Sequence, residues 1–206
     1  MMRRLVPVLV GVALLAALAI GGFWYVGNRL TRAADPVTVS TASLEAMRAQ
    51  NRLVPFAARF VAVTTSQQSR FGLSARKTLI MPGMVRYAIN LAALQPADLK
   101  WDAVTTTLSV TLPPIEVEGP EVDLAAIKEY GEGGVLMALT NAEATLDAAN
   151  RKAGQAELLK QARADLPMKL ARDAARSAIE RSFAMPLAAA GIEAKVVARF
   201  ADEQEK

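Results

Sequence analysis

Ser74-Ala-Arg-Lys77 sets a hydroxyl three residues ahead of an amine, the spacing at which a lysine can activate a serine nucleophile. That chemistry needs the serine at the start of a helix, together with Ser-Asp-Asn and Lys-Thr-Gly elements elsewhere. Here Lys77 leads into the extended run Thr78-Leu-Ile-Met81, and both companion elements are missing. A second candidate follows the double proline of Ser109-Val-Thr-Leu-Pro-Pro-Ile-Glu-Val-Glu118. If a strand resumes there, Glu116 and Glu118 share one face, with Glu121 and Asp123 nearby. Paired carboxylates can hold Ca²⁺ or Mg²⁺ or divide acid and base duties. No glycine-bearing calcium loop accompanies them, so the simpler expectation is a solvated strand edge whose like charges discourage further strand addition.

The chain contains neither histidine nor cysteine. Serine triads, thiol nucleophiles, imidazole acid–base work and nitrogen or sulfur metal sites are therefore excluded. Gly131-Glu-Gly-Gly134 lacks the lysine and hydroxyl of a phosphate loop. No residue is assigned a catalytic, cofactor-binding or metal-binding role. What remains is a binding or scaffolding domain, with an envelope hydrolase using Ser74 and Lys77, or Glu116 and Glu118, as the alternative.

The elements that would carry these groups begin with an uncharged run, Leu5 to Val26. As a helix it would be about 33 Å long, enough to cross the hydrocarbon of a bilayer. Phe23, Trp24 and Tyr25 lie at its outer end, where amphipathic rings favour the interface. The run is longer than a signal peptide's apolar core, and Thr31-Arg32-Ala33 is a poor cleavage site. Arg3 and Arg4 favour a cytoplasmic N-terminus. The reading is thus a cytoplasmic tip at 1–4, an anchor at 5–26 in a bacterial inner (plasma) membrane and a juxtamembrane linker at 27–40. A periplasmic or extracellular domain follows at 41–201, then a charged tail at 202–206. Ala13, Ala17 and Gly21 recur at four-residue steps, a spacing that lets two such helices approach closely and self-associate.

A pI near 9.6 suggests nucleic acid, but four of the arginines flank the anchor. From residue 36 onward the net charge is only +1. Aromatic residues make up 5% of the chain, too few for a base-stacking platform, so nucleic acid is not an expected partner. Charge is segregated: Asp98 to Asp147 is acidic and Arg151 to Arg181 basic. The expected consequence is attraction between two packed layers, with a face for anionic lipid or an envelope protein as the other reading. Lys169, Arg172 and Arg176 can pair with Asp173 and Glu180 at helical spacing.

Periodicity predicts a short helix over 41–53, ended before Pro55. Strands are expected around Ala58 to Val63, Lys77 to Met81 and Val85 to Ile89, with Pro82-Gly83 forming a turn or kink. From Ala103 to Leu112 the alternation is the clearest in the chain, and Pro113-Pro114 must end it. Helices are expected from Thr140 to about Asp165, with Leu146, Ala149, Ala153, Ala156 and Leu159 inward. The next starts near Pro167, with Leu170, Ala174, Ile179, Phe183 and Leu187 inward. A strand from Ile192 to Phe200 closes the chain. The fold class is α+β: a transmembrane helix, a mostly antiparallel sheet, a long helical pair and a C-terminal return strand.

Met84-Val-Arg-Tyr-Ala-Ile-Asn-Leu-Ala-Ala-Leu94, followed by Thr105-Thr-Thr-Leu-Ser-Val-Thr-Leu-Pro-Pro-Ile-Glu-Val117, resembles the bacterial domain of unknown function 4230 family over roughly 41–201. The resemblance implies a membrane-tethered domain with no assigned activity. Where that family reads Gly-(Ile/Val)-Asp-Leu, this chain has Ala88-Ile-Asn-Leu91. A catalytic carboxylate would be lost by that exchange, whereas a turn cap works about equally well with either residue. Asn90 is therefore expected to cap the turn at Leu91.

Overall fold

The computed structural model describes residues 34–132 and 134–203. Its spine is an antiparallel hairpin of two unusually long strands, β1 (Arg52–Arg70) and β2 (Leu73–Asn90). At 19 residues, β1 is roughly 60 Å long. Phe71 and Gly72, at φ 54° and 77°, turn the chain in two residues, a conformation that matches the twist of the flanking strands. Lys77 to Met81 and Val85 to Ile89 are parts of this one strand, so the expected turn at Pro82-Gly83 does not occur.

Pro82 is tolerated mid-strand because of what lies beside it. Strand β5 (Glu116–Val122) pairs with β2 as far as Gly83, and β6 (Lys128–Glu132) pairs with it only from Ile80. Between them the chain makes a single turn over Leu124–Ala126, and Asp123 N donates to the Pro82 carbonyl at 3.1 Å. No strand there requires the N–H that proline lacks. Gly83 lets the Leu158 methyl approach: a Cβ on it would meet Leu158 Cδ1 at 2.9 Å. Pro55 likewise lies within β1, at a register shift between Leu53 and Phe56.

A second, three-stranded sheet is built from β3 (Leu99–Asp102), β4 (Thr107–Leu112) and β7 (Lys195–Phe200), in the order β3-β4-β7. Val104 and Thr106 were expected in the strand but form a turn, with Val104 93% exposed and Thr106 at φ 47°. Asp102 wins the local competition by accepting from Val104 N at 2.9 Å and Thr105 Oγ1 at 2.7 Å. Leu108, Val110 and Leu112 are buried as the alternation predicts. Pro113-Pro114 ends β4 and carries the chain from the small sheet into β5 of the large one. The return strand β7 joins the small sheet parallel to β4, which corrects the expectation of one return sheet.

Among the described residues four helices complete the fold: α1 (Pro36–Ala49), α2 (Gly134–Leu139), α3 (Ala142–Ala162) and α4 (Asp165–Ala189). Asp35 caps α1 by accepting from Thr38 N at 3.0 Å, so helix begins inside the stretch read as linker. The buried stripe of α3 is Leu146, Asn150, Gly154, Leu158 and Ala162, one position out of phase with the expected Ala149 and Ala153. Along α4, Ile179, Phe183 and Leu187 are inward as expected, but Ala171 and Ala175 replace Leu170 and Ala174. Both inward faces mix small and large residues, and Leu166 and Leu170 of α4 are left exposed. The main core joins Leu44 and Met47 of α1, Leu108 and Leu112 of β4, Phe183 of α4 and Phe200 of β7. Along the hairpin α3 covers Leu79, Met81 and Ala62, and Tyr87 Oη is held by the Ala162 carbonyl at 2.8 Å.

Among the described residues no helix is long and apolar enough to cross a membrane. The proposed anchor at 5–26, with Ala13, Ala17 and Gly21, lies outside them. Asn90 does cap the turn at Leu91, its Oδ1 accepting from Ala92 N at 3.1 Å. Asn90→Ala is expected to lower unfolding free energy by about 1 kcal/mol and Asn90→Asp to leave it nearly unchanged, measured by urea denaturation. In the same measurement Phe183→Ala should cost about 3–5 kcal/mol.

Candidate functional site

On the inner face of β2 the side chains run Ala75, Lys77, Leu79, Met81, Val85, Tyr87, with Lys77 the single charge in an apolar row. Its side chain is 8% exposed. Three carboxylates from two elements close on the ammonium: Asp147 at 2.5 Å and Glu143 at 3.4 Å from α3, and Glu129 at 2.9 Å from β6. Asn150, one turn along α3 from Asp147, donates to the Lys77 carbonyl at 2.8 Å and fixes the helix against the strand. Burial alone would depress the lysine's pKa, but the hydrogen bonds it donates to Asp147 and Glu129 outweigh it and hold the pKa above the ordinary lysine value. The amine is therefore charged and occupied, the opposite of what a general base or Schiff-base lysine requires.

Ser74 does not meet this group. Three residues apart on one strand, the two side chains leave opposite faces of the sheet. Ser74 sits exposed at the hairpin tip, opposite Ser69. Glu116 and Glu118 do share a face on β5, as expected, and β5 is an edge strand. Both are engaged by one cation: Arg52 of β1 reaches across the sheet to Glu116 and to Glu118, the latter at 2.5 Å. Sequence reasoning missed this arginine because it precedes Glu116 by 64 residues. Asp123 pairs with Arg59 at 2.9 Å and Glu121 with Arg86 at 3.1 Å. The acidic segment is thus neutralised chiefly by cations of the hairpin, not by the basic helices, to which the 3.9 Å approach of Arg151 and Glu129 is the link.

Of the pairings expected within α4, Arg176 with Asp173 forms; the other partners of Arg172 and Arg176 come from the end of the chain. Arg172 binds Asp202 at 2.5 Å and Glu203 at 3.3 Å, and Arg176 binds Glu203 at 2.7 Å and Asp173 at 2.5 Å. Both guanidinium groups lie over the Phe200 ring, at 5.1 and 5.8 Å. Glu180 instead accepts from the main chain of Ala198 at 3.0 Å. Asp202 and Glu203, read as free tail, fold back in the turn Ala201–Glu203 and close the domain.

Among the described residues, much of the other side of the large sheet is exposed. The outward row of β1 carries Arg59, Val61 and Val63, that of β2 carries Arg76, Ile80, Pro82, Met84 and Arg86, and Tyr130 of β6 lies beside Thr78. Val61, Val63, Met84 and Tyr130 are 48%, 62%, 41% and 58% exposed. An apolar strip rimmed by arginines is what this face offers a partner. Among the described residues no group of three or more histidine, cysteine, aspartate or glutamate side chains is arranged to hold a metal ion.

Fold and site together define a two-sheet α+β domain with its buried charge neutralised and one broad sheet face open. The chain belongs to the family of proteins of unknown function DUF4230, which it matches over residues 45–197. No curated protein and no solved structure matches it.

Removal of the charge at Lys77 strands Glu129 and Asp147 against each other. Lys77→Met is expected to cost about 1.5–3 kcal/mol at pH 7. Because the folded pKa is raised, the lysine's contribution is fully present below about pH 10.4 and is lost as pH rises through the folded value. The gap in stability between wild type and variant should stay level from pH 7 to 9 and narrow above pH 10.5, followed by thermal melts across that range.

Proposed function

We propose that this protein is a membrane-tethered binding or scaffolding domain of a bacterial envelope. In this reading residues 5–26 anchor it in the inner (plasma) membrane, the N-terminus is cytoplasmic, and the domain presents itself in the periplasm or extracellular space. The observation that carries the binding role is the outer face of the four-stranded sheet, much of which is exposed among the described residues. Helices bury one side of that sheet, while Val61, Val63, Met84 and Tyr130 stand exposed in a contiguous strip on the other. A one-layer sheet normally keeps its wet face polar, so apolar side chains there favour a surface that is covered in use. The tether is supported by the uncharged length of 5–26 and the aromatic residues at its end. The hydrolase alternative has no geometric support, since Ser74 and Lys77 diverge and Glu116 and Glu118 share Arg52.

Two measurements on the full chain in its native membranes test the two halves separately. Alkaline extraction should leave the chain in the membrane fraction; soluble material with a new N-terminus just after Ala33 would end the tether. A photo-reactive residue replacing Tyr130 should give one discrete adduct that Met84→Arg weakens, whereas the same residue at the exposed Lys152 of α3 should not. Equal labelling at both positions would remove the binding face.

A further inference from the structure

The free edges of the two sheets are not treated alike. Strands β3, β5, β6 and β7 are four to seven residues long, and each carries at least two charged residues. In β5 three glutamates are joined by Gly119 and Pro120, which further blunt it. β1 is the opposite case. It is the terminal strand on its side of the large sheet, 19 residues long, and from Phe60 to Ser69 it has no charge, no proline and no glycine. That stretch, Phe-Val-Ala-Val-Thr-Thr-Ser-Gln-Gln-Ser, carries none of the devices that keep an edge from adding a strand.

The main-chain groups facing outward on this edge are identified by Pro82. Its carbonyl points away from β1 to Asp123 N, so the Val61–Pro82 pair exchanges no hydrogen bonds. By alternation the N–H and C=O of Val63, Thr65, Gln67 and Ser69 also point away from β2. The Val61 carbonyl is already met by Gln161 Nε2 at 3.3 Å, which sets the inner limit of the open stretch.

We propose that this edge pairs antiparallel with the same edge of a second copy of the chain. The edge is self-complementary. In a register centred on Thr65, Val63 lies opposite the partner copy's Gln67 and each Thr65 opposite its counterpart, so no like charges meet. An antiparallel pair of identical strands also closes on a two-fold axis and leaves no new edge to propagate. The two large sheets then become one, with Val61 of each copy opposite the partner copy's Ser69. This inference does not rest on the membrane tether or on what covers the outer face.

The chain has no cysteine, so a single introduced thiol reports the contact cleanly. Thr65→Cys in the full-length protein, oxidised in its native membranes, should give a disulfide-linked species of twice the chain mass, with Val63→Cys and Gln67→Cys weaker. Glu118→Cys on the β5 edge should give none. The dimer at Thr65→Cys should survive Ala17→Leu, which separates it from association through the anchor. Thr65→Lys should convert the detergent-solubilised protein to monomer by sedimentation while leaving its circular dichroism unchanged. Absence of the cross-link, equal cross-linking at position 118, or an adduct of any other mass would overturn the second copy as the occupant.

Discussion

A two-strand ribbon of eighteen and nineteen residues cannot stand in water unless one of its faces is covered along most of its length. The rest of this structure answers that constraint. Helix α3 runs along the inner face with a stripe at four-residue steps, and the helical turn into α4 covers the base around Tyr87. Where members of the stripe are small the helix and strands approach closely: Gly154 meets Met81 and Ala162 meets Tyr87. Close approach leaves little room for a charge on that face, and Lys77 is the charge that β2 places there.

A charged amine in an apolar row is stable only if its partners come with it. Here they come from two neighbours of the hairpin, α3 and β6, so one ammonium ties three segments together. Asn150 adds a bond from α3 to the strand's main chain at the same point. Asn150 is what fixes the register of α3 along the hairpin: a shift by one turn would let Glu143 take the place of Asp147 but would break the Asn150 bond to the Lys77 carbonyl. The arrangement also removes the most nucleophile-like pair in the sequence from chemical service.

The smaller sheet plays a different part. Its parallel pair, β4 with β7, brings the end of the chain back beside its middle, and the arginines of α4 then clamp Asp202 and Glu203 over Phe200. Charge in this protein is therefore mostly spent on holding segments in place. What it leaves open is main-chain and apolar: the long edge of β1 and the outer strip beside it.

Much of this was legible in the sequence where local chemistry is sufficient. The alternation at Leu108, Val110 and Leu112, the stop at Pro113-Pro114, the cap at Asn90 and the inward face of α4 at Ile179, Phe183 and Leu187 follow from period and side-chain type alone. The family followed from short motifs that the same elements carry. Tertiary structure alone decided that Pro82 could lie mid-strand, because only there do β5 and β6 leave a gap opposite its nitrogen. It decided the phase of α3, where close packing selected Gly154 and Asn150 over the neighbouring alanines. And it decided the fate of Ser74, Lys77, Glu116 and Glu118. Whether charged groups meet depends on contacts between segments some 50 to 75 residues apart, and these distances in space are not written in their spacing along the chain.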